Sequence, residues 1–281
     1  GLANIWTGQT QSSLFGFFGR VNYNWRDMLF VSASIRREAS TKFGVNSRWG
    51  NFPSASIAWE MMEASFMDSA GEVVKSLKPR FSFGVTGREP GSSYQSLATY
   101  STKYQYFMDG EWVTGYAPSN NANPLLSWEK SVSYNIGVDF DLWNRLRGSV
   151  EYYIRQSPDL LYNYTAPQPP YVYNTILVNV GTTTNRGVEV CLNADVIKKK
   201  NFTWNSGVNY SYGRTYLTKL SNDVYQASYL ELYQKPGVGT SEYFFRVEEG
   251  GEVGQFYGYE FAGVDLDGNM VNVGQTPVKS L

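Results

Sequence analysis

Trp128-Glu129-Lys130-Ser131-Val132-Ser133-Tyr134-Asn135-Ile136-Gly137-Val138-Asp139-Phe140-Asp141-Leu142-Trp143 is the stretch from which the fold can be read. Its even positions are apolar after Lys130: Val132, Tyr134, Ile136, Val138, Phe140 and Leu142. Its odd positions, Glu129, Ser131, Ser133, Asn135, Gly137, Asp139 and Asp141, are small or polar. A period of two means an extended strand with one greasy and one wet side. The strand is about twice as long as the roughly 5–6 residues usual in globular sheets.

Working outward, the same alternation returns. Leu146, Val150, Tyr152 and Ile154 alternate with Arg147, Glu151 and Arg155; Val188, Val190 and Leu192 alternate with Glu189, Cys191 and Asn193. Trp204, Val208, Tyr210 and Tyr212 form one face of a further strand. Upstream, strands are expected through Phe17–Trp25, Leu29–Ile35, Pro53–Met61 and Phe81–Val85, which makes eight, with a ninth near Phe256–Val264. Short turns fall at Arg26-Asp27, Asn144-Arg145 and Lys198–Asn201. Long polar or aromatic links fall at Ala39–Asn51, Arg88–Leu125, Asn163–Asn185 and Gly213–Gly251. In an antiparallel meander this alternation puts short turns at one end and long loops at the other, as in outer-membrane barrels. Met62–Ser76, on the short-turn side, is longer and has room for a short helix.

Composition narrows the function classes. The 281 residues carry a net charge of −1, with Lys and Arg spread thinly, so nothing suggests a nucleic-acid partner. No histidine is present, which removes Ser-His-Asp and Cys-His catalysis and His-ligated zinc. The single cysteine, Cys191, makes no internal disulfide. The 22 Tyr, 16 Phe and 8 Trp residues suit places where an apolar region meets a wet one. Trp25, Trp143 and Trp204 lie beside short turns, where an interfacial girdle would sit. The start, Gly1–Trp6, shows no signal-peptide pattern, and no apolar run approaches the roughly 18 residues of a transmembrane helix. Strands that cross a membrane escape that test, because they alternate. A soluble β-sandwich alternates as well, with its polar face in water.

Several segments, read in order, resemble the C-terminal barrel half of the SusC/RagA family of TonB-linked outer-membrane proteins. They are Phe18-Gly19-Arg20-Val21-Asn22-Tyr23; Ile35-Arg36-Arg37-Glu38-Ala39-Ser40-Thr41-Lys42-Phe43-Gly44; and Arg48-Trp49-Gly50 with Phe52-Pro53-Ser54. Leu77-Lys78-Pro79-Arg80, Gly84-Val85-Thr86-Gly87, Asn123-Pro124-Leu125 and Trp128-Glu129 follow. Asn179-Val180-Gly181, Asn185-Arg186-Gly187-Val188-Glu189 and Phe256-Tyr257-Gly258-Tyr259 complete the series. Glu38-Ala39 in place of Asp-Gly, and Arg88 where Asn is common, depart from the pattern at loop edges and bear on loop shape.

The resemblance implies an all-β fold: residues 1–281 as one sector of a transmembrane barrel of about 22 strands. The plug, TonB box and last strands are expected to lie outside the chain. It implies TonB-dependent import of a glycan or peptide, with a SusD-like surface lipoprotein and TonB as partners, and no reaction catalysed. A TonB-dependent siderophore or cobalamin receptor shares this architecture. A soluble β-rich carbohydrate-binding module is the alternative of another class.

Candidate sites follow from both readings. Tyr104, Tyr106, Trp112 and Tyr116 in one long loop, and Tyr171 and Tyr173 in another, are expected either to meet ligand or a lid protein, or to pack their own rim. Val132, Tyr134, Ile136, Val138 and Phe140 are expected to face lipid; Glu129, Asn135, Asp139, Glu151 and Glu189 to face the lumen. Glycosidases set two acids about 5–9.5 Å apart in a cleft, but Asp139 and Asp141 read as a solvated wall. Asp265-Leu266-Asp267-Gly268-Asn269 fails the calcium-loop spacing and reads as a tight turn, and Lys198-Lys199-Lys200 as a solvated one. No cofactor or metal is expected.

Overall fold

The computed structural model describes residues 8–222, 225–234, 243–266, 268 and 270–277. The Gly1–Trp6 start, and Asp267 and Asn269 of the acidic turn, lie outside them.

Sixteen strands are described. In chain order they are β1 (Leu14–Trp25), β2 (Leu29–Ser40), β3 (Trp49–Trp59), β4 (Val74–Arg88), β5 (Tyr100–Met108), β6 (Glu111–Pro118), β7 (Glu129–Leu142) and β8 (Leu146–Pro158). The second half holds β9 (Leu161–Thr165), β10 (Thr175–Asn179), β11 (Thr182–Lys199), β12 (Phe202–Lys219), β13 (Tyr229–Gln234), β14 (Tyr243–Glu248), β15 (Tyr257–Val264) and β16 (Met270–Pro277). Eight of them form one antiparallel wall in the order β1-β2-β3-β4-β7-β8-β11-β12. These are the eight strands expected from alternation. The strand expected near Phe256–Val264 is β15, but it pairs with β16 in a separate hairpin and does not join the wall. Met62–Ser76 holds two 3-10 helices, Met61–Glu63 and Ser65–Ala70, before β4 begins.

Register carries the alternation across the wall. Residues directly opposite in a ladder point to the same face. One row runs Tyr23, Val31, Ile57, Phe81, Ile136, Tyr152, Val188, Tyr212, apolar on all eight strands. The neighbouring row on the opposite face begins Asn22, Ser32, Ser56, Ser82, Asn135. It ends with Tyr153 over Gly187 and Gly213, where an added Cβ would stand 2.7 Å from the Tyr153 hydroxyl at either position. The glycines are needed for that close approach.

Two hairpins close with left-handed residue pairs, Arg26 and Asp27 (φ 53° each) and Trp143 and Asn144 (φ 55° and 50°). Met28 N–H donates to Trp25 O, and Arg145 N–H to Leu142 O. This primed turn geometry matches the twist of the flanking strands. The wall has no hydrophobic core of its own. Among the described residues, every buried apolar side chain lies at the long-loop end, in three clusters centred on Trp128, Val178 and Leu217. In mid-wall, Tyr23 is 58% exposed, Val21 70%, Ile136 60% and Val208 62%.

Candidate functional site

The long loops form a rim at one end of the wall, and the scattered sequence motifs meet there. Phe43, Phe52, Leu126 and Trp128 make one buried cluster. The Phe43 and Trp128 ring centroids lie 4.8 Å apart, and Phe52 meets Trp128 edge-on at 5.3 Å. The Trp128 indole N–H donates to Arg48 O at 2.9 Å, so the buried ring is also satisfied. The β3–β4 ladder stops at Ser54–Gly84 although both strands run on. Phe52 lies beyond that point, so close that a Cβ on Gly87 would stand 2.2 Å from its ring. A Cβ on Gly44 would stand 2.0 Å from Pro124 O, which is why the Phe43-Gly44 turn can press on Asn123-Pro124.

Polar side chains then tie the loops together. Ser40 donates to Glu89 at 2.6 Å, and Lys42 Nζ donates to Glu89 Oε1 at 2.8 Å and to Pro90 O at 2.9 Å. Burial raises the Glu89 pKa. The hydrogen bonds from Lys42 and Ser40, with the Lys42 charge, outweigh it and hold the carboxyl below its ordinary range. Asn121 Nδ2 donates to Tyr173 O and Thr175 O, and Asn123 Nδ2 to Leu177 O. Asn179 accepts from Ser127 N–H and donates to Ser127 O, both at 2.8 Å.

The six aromatic candidates fall into two groups. Tyr104, Tyr106, Trp112 and Tyr116 lie on the β5–β6 hairpin and are exposed, Trp112 at 69% and Tyr116 at 75%. Tyr171 packs against the cluster of Ala166, Ile176, Val178 and Val180, and Tyr173 donates its hydroxyl to Pro118 O at 2.8 Å. The Tyr164 and Tyr225 rings stand 5.1 Å apart in the same cluster. Burial, then the neighbouring Tyr171 and Tyr164 phenols, push the Tyr225 pKa up, so its hydroxyl stays neutral.

On the polar face of the wall, Arg80 joins three of the expected residues. It pairs with Asp139 at 3.2 Å and with Glu151, and Glu151 also accepts from Asn135 at 2.8 Å. Glu189 stands directly opposite Glu151 in the ladder. Glu129 sits at the rim end of β7, taking Arg88 at 2.6 Å and Leu161 N–H at 2.8 Å. Val132, Tyr134, Ile136, Val138 and Phe140 share the other face, where the Tyr134 ring lies 5.2 Å from Phe83. Of the neighbouring acids Asp139 and Asp141, Asp139 is taken up by Arg80. Among the described residues no group of three or more metal-ligating side chains converges.

Sequence reasoning missed Arg80 as the hub of this network, although its position on the polar face of β4 was readable. It also missed Asn121, Asn123 and Asn179 as ties, because side-chain bonds to distant main chain leave no periodic signal.

Comparison with known proteins gives a consistent result. The family described as TonB dependent receptor-like, beta-barrel, matches residues 2–275. The TonB-dependent receptor P39 of Formosa agariphila is 36% identical over 259 residues, 92% of this chain and 23% of the receptor. The TonB-dependent receptor SusC of Bacteroides thetaiotaomicron is 30% identical over 257 residues, 89% of this chain and 25% of the receptor. The chain thus spans about a quarter of the length of these curated relatives. The solved RagAB peptide transporter superposes with a TM-score of 0.74 at 27% identity, covering 96% of this chain and 29% of that chain.

Proposed function

This chain belongs to the family of TonB-dependent receptor-like β-barrels, and on that premise we propose that it forms part of the wall and rim of an outer-membrane nutrient importer of the SusC type. The observation that carries the proposal is the apolar row from Tyr23 to Tyr212, exposed on seven of the eight strands and half-buried at Val188, while the opposite face is mostly polar. A soluble sheet would cover such a face, since exposed apolar patches of this extent drive association. Lipid covers it at no cost, and each of the six inner strands of the wall is paired with a neighbour on both sides, as main-chain groups within a membrane require. A tilted strand needs roughly 9–11 residues to cross, and β7 has 14 while β11 and β12 have 18 each. A soluble carbohydrate-binding module offers no role for this surface.

In this reading Val132, Tyr134, Ile136, Val138 and Phe140 face lipid, while Asn135, Asp139, Glu151 and Glu189 face the lumen with Glu129 at its mouth. The wall catalyses no reaction. Import is driven through TonB, and the cargo is a glycan or a peptide. RagAB, a peptide transporter by its description, favours the peptide. A SusD-like surface lipoprotein is the partner at the rim. The test is uptake by cells expressing the full-length protein, with labelled oligopeptides and oligosaccharides offered in parallel. Uptake that stops when TonB is deleted or the proton gradient is collapsed supports the proposal; uptake indifferent to both overturns it.

A further inference from the structure

The apolar face of the wall changes character toward the long loops. Between the row from Tyr23 to Tyr212 and the long-loop end, every charge at a ladder position on that face is a cation, as at Arg37, Lys130, Arg186 and Arg214, and none is a carboxylate. The opposite face mixes both signs, as Arg80, Asp139 and Glu151 do. Arg186 and Arg214 stand directly opposite each other in the β11–β12 ladder. Residues so placed have Cα atoms roughly 4.5–5.5 Å apart, and like charges there repel. Tyrosines hold the two guanidinium groups: Arg186 lies over the Tyr216 ring at 5.2 Å and Arg214 over the Tyr212 ring at 5.6 Å. Arg214 also pairs with Glu252 at 3.1 Å. Arg186 is exposed and has no carboxylate partner among the described residues.

The height of this pair on the wall matters. Below it on the same face come the rungs Val188–Tyr212, Val190–Tyr210 and Leu192–Val208, with the Tyr210 and Val208 side chains exposed. Beside the short turn stands the rung Ile197–Trp204. The climb along β11 from that rung to the arginines is about 28 Å, at roughly 3.3 Å per residue and a tilt of roughly 40°. The hydrocarbon core of a bilayer is roughly 30 Å thick. With Ile197 and Trp204 at one boundary of the core, the arginines stand at the other, where headgroups begin.

We propose that Arg186 and Arg214 form a binding site for the phosphate headgroup of an outer-leaflet amphiphile, whose acyl chains lie along the apolar rungs beneath. The proposal rests on the import reading only through its orientation, apolar face to lipid and long loops outward. Chemistry selects the phosphate. A guanidinium fork donates paired hydrogen bonds to phosphate oxygens and keeps its charge at physiological pH. One phosphate between two opposed arginines turns their repulsion into attraction to a shared anion. Continuity of the pair with the apolar rungs selects an amphiphile, because a free phosphate would leave those rungs unused. Tyr212 and Tyr216 suit the same boundary, where amphipathic rings settle at headgroup level.

The experiment titrates the full-length protein, purified in dodecyl maltoside, with dilauroyl phosphatidate and counts bound lipid by native mass spectrometry. R186Q/R214Q is expected to raise the Kd for phosphatidate at least tenfold. Its Kd for dilauroyl phosphatidylcholine should stay within twofold of wild type. R155Q, on the opposite face beside Asn185, is expected to leave both values unchanged. E252Q, which releases Arg214 from its carboxylate, is expected to tighten phosphatidate binding. Millimolar inorganic phosphate is expected not to displace the lipid. Heat-modifiable migration in gels confirms that each variant is folded. A phosphatidate Kd within twofold of wild type in R186Q/R214Q, or an equal loss in R155Q, overturns the site. Displacement by inorganic phosphate overturns the lipid as the source of the anion, and equal loss of phosphatidylcholine binding overturns headgroup recognition. Each of these leaves import standing if TonB-dependent uptake persists; a wild-type protein that neither binds lipid nor transports overturns both.

Discussion

The wall and the rim share strands but are held by different forces. In the wall, main-chain ladders do the holding, and any side chain of the right polarity suits a given face. The row from Tyr23 to Tyr212 mixes Tyr, Val, Ile and Phe without losing its character. In the rim, single side chains bind particular carbonyls and amides far away in sequence, as Trp128 does Arg48 and Asn179 does Ser127. The apolar face of the wall therefore tolerates drift in identity within a polarity class. Rim structure fixes identity at a few points and leaves the residues between them free.

That contrast sets the expected sizes of perturbation. The largest belongs to polarity in the wall. On the proposed orientation, Val138→Arg in the full-length protein would put a charge in lipid at about 2–4 kcal/mol and should prevent assembly into the heat-modifiable form. Asn135→Arg, on the face that already carries Arg80 and Glu151, should assemble; equal behaviour of the two would undo the assignment of faces.

Next comes backbone crowding in the rim. Gly44→Ala drives a Cβ onto Pro124 O and should cost about 3 kcal/mol, the upper part of the overpacking range. Hydrogen exchange should accelerate across 41–48 and 121–128 and stay slow in β7 and β8. Unchanged exchange in those loops would mean the rim is not held by this contact.

Smaller again is a single tie. Asn179→Ala unpairs Ser127 N–H and leaves Ser127 O and Asp159 O without the Asn179 amide, for about 2 kcal/mol. It should raise protease cleavage between 159 and 181 without altering assembly. Loss of assembly would show that rim and wall are coupled after all.

The smallest effect is electrostatic. The folded Glu89 carboxyl titrates below its unfolded value, so its contribution is complete at pH values above the unfolded pKa. It is lost as pH falls through the lower, folded one. Loop 89–99 should gain exchange in acid, and Lys42→Met should abolish that pH dependence. A loop that loosens on raising the pH would carry the opposite sign and contradict the pairing.

The wall was legible in sequence because a half-exposed strand repeats every two residues, and the eight strands were found on that ground. Their ends were less so. β11 and β12 run from Thr182 and to Lys219, well past the apolar alternation, because the ladder continues where the outward side chains become Arg and Thr at Arg186, Thr184 and Arg214. The β5–β6 hairpin read as a loop because rings on both faces erase the alternation. Its Asp109-Gly110 pair is a hairpin signal that was present all the while. Exposure was not readable at all: Tyr116 and Tyr173 look alike in sequence, yet one is open and the other holds Pro118. That difference depends on which loops meet, which no local pattern records.

The serine rows have a geometric consequence. Ser32, Ser34, Ser54, Ser56 and Ser82 cluster on the polar face, with Gly84 beside Ser54. Their side chains rise only one or two bonds above the backbone, while Arg80, Phe30 and Tyr153 nearby rise much further. On the proposal that this face lines the lumen, the clearance over these serines is set by side-chain length as much as by strand number. On the same proposal, lengthening one serine would narrow the lumen locally while leaving every ladder bond of the wall in place.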